Sequence, residues 1–139
     1  MTNITSTTDA DGITTITWDM PGRSMNVISA DSDREFKAAC LAAIADSKVK
    51  GVVITSGKPA FIAGADLSMM EGISAGAGLS KEQQAKAIFD FFNDNAKFTR
   101  KVEKSGKPFV AAVNGTALGG GFEICLRDSR MSHPQASDR

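Results

Sequence analysis

The chain has 139 residues, 42% hydrophobic and 23% charged, enough for one domain with its own core and unlike a disordered or membrane-embedded protein. Sixteen basic residues balance sixteen acidic ones, which leaves no global field to hold nucleic acid or an anionic membrane. No stretch approaches the ~18 apolar residues of a membrane span. The first six residues also lack the basic-then-apolar pattern of a secretory signal, so a cytoplasmic, reduced setting is expected.

Ile4 to Thr8 and Ile13 to Met20 alternate apolar or β-branched residues with polar ones around Asp9-Ala10-Asp11-Gly12, a composition that predicts a hairpin. Pro21-Gly22-Arg23-Ser24 breaks the pattern, and Met25-Asn26-Val27-Ile28 follows as a short loop. Ser29 or Asp31 can cap the next segment, with Asp31 and Asp33 adding negative charge to its first turn. Phe36, Ala39, Cys40, Ala43 and Ile44 then recur at helical spacing, predicting one apolar helix face that ends near Ser47. Gly51 to Thr55 reads as a short buried strand. Ala60 to Asp66 leads into Leu67-Ser68-Met69-Met70, which can start a short helix, and Gly72 to Gly78 is a Gly- and Ala-rich connection that matches no phosphate-binding spacing.

Lys81 to Lys104 is the longest periodic segment. Its predicted core stripe is Ala85, Ile88, Phe89, Phe92 and Ala96, with Thr99 or Val102 continuing it. After Gly106-Lys107-Pro108, the run Phe109 to Val113 predicts a second buried strand. Asn114 to Gly121 then turns into a helix beginning about Phe122. Strands and helices alternate, so the expected class is α/β. Cys40 and Cys125 have neither metal nor disulfide spacing and read as small buried residues, so no metal site is expected.

Two strand–turn–helix passages, at 52–70 and 109–127, could carry chemistry. Three consecutive glycines, Gly119, Gly120 and Gly121, are entropically costly. They fit a turn where backbone passes close to other groups and helix N-terminal N–H groups stay free to donate. Glu123 follows on the first helical turn. Donors beside a carboxylate are the parts of a site that polarises a carbonyl and moves a proton. A tight strand–helix crossing, with Glu123 merely favourable near a helix N-terminus, explains the same residues equally well. A dinucleotide fingerprint does not, because the spacing is not G-x-G-x-x-G. Ala63-Gly64-Ala65-Asp66 has the same logic, with Asp66 as cap. Two such turns can offer two N–H groups to one oxygen.

VVITSGKPAFIAGADLSMM (Val52–Met70) together with GKPFVAAVNGTALGGGFEICL (Gly106–Leu126) resembles the crotonase superfamily of enoyl-CoA hydratases and isomerases. WDMPGRSMNVIS (Trp18–Ser29) looks most like the hydratase module at the N-terminus of bacterial multifunctional fatty-acid oxidation alpha subunits. The likeness covers roughly residues 10–127. It implies the N-terminal part of a crotonase-like spiral of repeated ββα units over 1–127, and the polar tail at 128–139 reads as a divergent or truncated continuation. It also implies that the Ala65 and Gly120 amides form an oxyanion hole and that Glu123 is the first catalytic glutamate. Met25, Val27, Ala63, Gly64, Asp66 and Gly119 fall in segments that line the CoA path in that family. The implied partner is an acyl-CoA substrate, with no separate cofactor, in a homotrimer or a fatty-acid oxidation complex.

The sequence departs from two-glutamate members in one respect. Their second glutamate, in a Gly-x-Pro-Glu setting, would fall beyond Arg139, and neither Asp128 nor Asp138 has that setting. His133 lies in the polar tail and reads as surface. The expectation is a hydratase-type chain with little activity alone. A non-catalytic acyl-CoA-binding or interaction module is the alternative, and isomerisation or thioester hydrolysis are the related chemistries.

Overall fold

A computed structural model describes residues 2–69, 71, 78–127 and 130–132. Met1, Met70, residues 72–77 and the tail residues 128–129 and 133–139, His133 among them, lie outside the described residues. So do the expectations placed on them.

The sheet grows from the N-terminal hairpin. Strand β1 (Ile4–Thr8) pairs antiparallel with β2 (Ile13–Trp18). Asp9 organises the turn, its Oδ1 accepting from the N–H groups of Asp11 and Ile13, both at 2.9 Å. β2 stops at Trp18, two residues before the predicted end, because Met20 N–H turns away to the side chain of Asn26. Helix α1 (Ala30–Ala45) follows, with Ser29 as N-cap in a capping box with Ser32. Its last turn carries no basic residue of its own. Lys107 supplies one from a distant loop, its Nζ donating to the carbonyl oxygens of Ala43 (2.7 Å) and Asp46 (2.6 Å).

β3 (Gly51–Ser56) lies parallel to β2, and β4 (Phe109–Ala112) lies parallel to β3. Between β3 and β4 runs helix α2 (Lys81–Glu103), capped by Ser80 and Gln83. α3 (Gly120–Arg127) follows β4 and begins two residues earlier than the sequence suggested. β5 (Arg130–Ser132) then adds parallel to β4, within the stretch that the sequence presents as a polar tail. Strand order among the described residues is β1-β2-β3-β4-β5.

Register places one buried row after another on a single face. Thr14, Val52 and Phe109 stand side by side, then Ile16, Ile54 and Ala111, then Trp18 and Ser56. The Phe36 ring of α1 packs on Trp18, with centroids 5.2 Å apart, and Phe98 of α2 meets Phe36 edge-on at 6.2 Å. The apolar face predicted for α1 holds: Phe36, Cys40 and Ala43 are buried, and Ala39 and Ile44 pack against the core.

The stripe predicted for α2 holds only at its C-terminal end, where Thr99 and Val102 turn inward. Phe89 and Phe92 are 67% and 66% exposed, and Ile88, Ala85 and Ala96 are exposed as well. Before that end the helix instead turns Phe91, Asn95 and Phe98 inward. Both sets obey helical spacing, and contact with Phe36 selects the second.

Candidate active site

Two short parallel bridges build the site. In the first, residues 26–28 run beside 63–66. Ala63 N–H donates to Asn26 O, Ile28 N–H to Gly64 O and Asp66 N–H to Ile28 O, each at 2.8 Å. Ile28 thus bonds to the residues on either side of Ala65, and the Ala65 amide takes no part in the ladder. In the second bridge, Phe61 N–H donates to Thr116 O and Leu118 N–H to Ile62 O, both at 3.0 Å. The chain then turns through Gly119 into α3, whose first residue is Gly120. The first N–H groups of a helix have no intrahelical acceptor. Among the described residues, neither the Ala65 nor the Gly120 amide has a hydrogen-bond acceptor.

The two turns touch. A Cβ on Gly119 would lie 3.7 Å from Gly64 Cα, and one on Gly64 would lie 3.3 Å from Leu118 O. Gly64 has φ +96°, where a side chain would be strained. Gly121 lets α3 press onto the other bridge, because a Cβ there would sit 2.3 Å from Ile62 O. The glycine triplet therefore makes a tight crossing and also leaves a free amide. The two readings open at the sequence level are compatible.

A cavity of about 300 Å³ opens beside these turns and is lined by Ala65, Gly120 and Glu123 together. Glu123, on the first turn of α3, is exposed on the cavity wall, and its own N–H bonds to Gly119 O at 3.0 Å. Ile28, Trp18 and Ile124 add apolar surface near the turns, and Phe36, Phe91 and Phe98 add aromatic surface from α1 and α2.

The other predicted residues sit around this cavity rather than on its wall. Met25 is exposed, and Val27 packs against the core. Ala63 and Gly64 carry the first bridge, and Gly119 carries the turn into α3. Asp66 caps the helical turn at 67–69, its Oδ1 accepting from Ser68 N–H (3.0 Å) and Ser68 Oγ (2.8 Å), and Arg23 Nη1 lies 2.8 Å from its Oδ2. The two bonds from Ser68, with Arg23 adding to them, hold the Asp66 carboxyl below the usual aspartate range.

Sequence reasoning missed Asn26, which braces the whole arrangement. It is fully buried, and its Nδ2 approaches Trp18 O (2.7 Å), Ser56 Oγ (2.8 Å) and Phe61 O (3.3 Å). Its Oδ1 accepts from Met20 N–H (3.0 Å). Nothing in Met-Asn-Val-Ile signals this role, because the partners come from three other stretches of the chain, at 18–20, 56 and 61. The aromatic wall from α2 was legible in principle, since Phe91, Asn95 and Phe98 share helical spacing.

Among the described residues no group of three or more His, Cys, Asp or Glu could hold a metal ion, and no helix is long and apolar enough to cross a membrane.

Residues 8–129 match the enoyl-CoA hydratase/isomerase family. The chain is 41% identical over 117 residues to the fatty acid oxidation complex subunit alpha of Acinetobacter baumannii (strain AYE), covering 84% of this chain and 15% of the relative. It is 39% identical over 118 residues to the corresponding subunit of Idiomarina loihiensis, with the same coverage. Among solved structures, an enoyl-CoA hydratase/isomerase from Xanthobacter autotrophicus Py2 superposes with a TM-score of 0.76 at 27% identity. That match spans 95% of this chain and 46% of the other. The chain therefore covers under a sixth of these curated relatives and about half of the solved chain. The fold, the paired glycine turns and these likenesses agree: the chain belongs to the enoyl-CoA hydratase/isomerase family, the crotonase superfamily, and corresponds to its N-terminal part.

Proposed function

We propose that this chain carries the carbonyl-activating half of an acyl-CoA site of the hydratase type, acting in fatty-acid β-oxidation. One observation carries the reading: two adjacent turns each leave an amide without an acceptor, and both line the cavity that Glu123 also lines. A thioester oxygen held by the Ala65 and Gly120 N–H groups would be polarised as negative charge develops on it. Losing one such donor typically costs about 3–4 kcal/mol of transition-state stabilisation. Glu123 would hold water or exchange a proton with the α-carbon. No cofactor enters this reading, since the CoA thioester is itself the substrate. A cytoplasmic setting and assembly into a trimer or a fatty-acid oxidation complex belong to the same proposal.

Gly120 offers a clean test because it is the first residue of α3, where proline is tolerated. A Cβ there would meet Ile28 Cδ1 at 2.6 Å, the mobile end of a side chain. Gly120→Ala adds this contact and keeps the N–H, whereas Gly120→Pro adds it and removes the N–H. Binding of acetoacetyl-CoA, whose enolate oxygen resembles the developing charge, is followed by calorimetry. The proline variant should bind about tenfold or more weakly than the alanine variant, as expected for one charge-assisted hydrogen bond. Equal affinities would refute the role of the amide. Hydration of crotonyl-CoA by the chain alone should be slow or absent, since Glu123 is the one carboxylate assigned to the cavity's reacting end. Binding without turnover is also what a pure acyl-CoA-binding module would show. Installing the same pair of substitutions in a full-length relative separates the two readings.

A further inference from the structure

The cavity wall supplied by α1 and α2 is not uniformly apolar. Asn95 lies on it beside Phe91, Phe92 and Phe98. Its Nδ2 donates to the Phe91 carbonyl oxygen at 2.9 Å, and its Oδ1 has no partner among the described residues. On α1, Asp33 and Lys37 also line the cavity, joined by a 2.6 Å ion pair with side chains 22% and 23% exposed. Lys37 Nζ lies 5.8 Å from the centroid of the Phe98 ring, and Phe98 is one helical turn beyond Asn95. An open amide oxygen and a half-buried ion pair thus share one aromatic wall.

This wall selects among acyl groups. A hydrocarbon chain would strip water from Asn95 and from the ion pair and return no hydrogen bond, which is unfavourable for every polar group so covered. A terminal carboxylate fares no better, because Asp33 already neutralises Lys37 and Asn95 Oδ1 would repel it. A hydroxyl both donates and accepts, so it can give its proton to Asn95 Oδ1 and accept from a spare ammonium or amide N–H. We propose that the acyl group taken by this cavity carries a hydroxyl on the chain beyond the reacting carbons, and that Asn95 is the residue that reads it. The proposal rests on the acyl-CoA reading above and names its substrate class.

The test uses the intact 139-residue chain and three thioesters: hexanoyl-CoA, its ω-hydroxy derivative and the matching ω-carboxyl thioester. Calorimetry should give the hydroxyl ligand an affinity about fivefold above the methyl-ended one, the effect of one net hydrogen bond. Asn95→Leu should abolish that difference while leaving hexanoyl-CoA bound as well or better. Asn95→Ala is the second variant should leucine disturb α2, with far-UV circular dichroism confirming the helix. A methyl-ended ligand that binds as tightly, a carboxylate that binds tightest, or a hydroxyl preference that survives both variants would overturn the assignment and leave the acyl-CoA reading standing. Failure of the folded chain to bind any of the three would overturn both.

Discussion

Asn26→Asp is nearly isosteric and reverses the polarity of the buried brace. In the native chain Nδ2 supplies two protons to a nest of three oxygens, Trp18 O, Ser56 Oγ and Phe61 O. Aspartate presents an acceptor to the same three atoms. At least two buried acceptors lose their donor, each costing about 1–3 kcal/mol, and the burial of a carboxylate adds to this. The expected loss is therefore about 3–6 kcal/mol, a large part of the ~5–15 kcal/mol available to a small domain. Trp18 is the sole tryptophan and is buried beside the substitution, so urea unfolding followed by its fluorescence reports the change directly. Because the new carboxyl is more readily protonated in the folded state than in the unfolded chain, the deficit should grow as the pH rises above about 3.9, the ordinary aspartate value. A variant within about 1 kcal/mol of the parent at neutral pH would refute the claim that this hub holds the site loops together.

The remaining predictions concern the shell around the site. Burial pulls the Glu35 carboxyl upward, but hydrogen bonds from Thr2, Asn3 and Ile4 outweigh it and hold the value below the usual glutamate range. Its contribution should be complete above about pH 4.3 and lost as the pH falls through the lower folded-state value, so Glu35→Gln should flatten that part of the stability–pH curve. Lys107→Met should cost about 1–2 kcal/mol in chemical denaturation, since both carbonyls at the end of α1 lose their cation. Phe36→Ala should cost about 3–5 kcal/mol by emptying the contact between Trp18 and Phe98. Phe89→Ala, on the exposed face of the neighbouring helix, should stay within about 0.5 kcal/mol. A reversal of these last two in thermal melts would show that α2 is rotated from the orientation described.

Local chemistry explains what was readable in advance. Asp9 to Gly12 can close a hairpin only between two alternating runs. Ser29 announces a helix because its side chain answers an orphan amide within the next turn. The glycine turns at 64 and 119–121, with Glu123 after them, were visible as unusual backbone next to a carboxylate, and their pattern carried the family. The sequence could not choose between two apolar faces of α2, because both satisfy helical spacing and only the position of Phe36 decides between them. Nor could it reveal Asn26, whose partners come from three other stretches of the chain, or the cavity itself, whose walls come from α1, α2 and α3. Hydrogen-bonding and periodicity rules act over a few residues and are written locally. Which faces meet depends on contacts across the whole chain, and here two parallel bridges, Ile28 with Ala65 and Ile62 with Ala117, bring both free amides to one place.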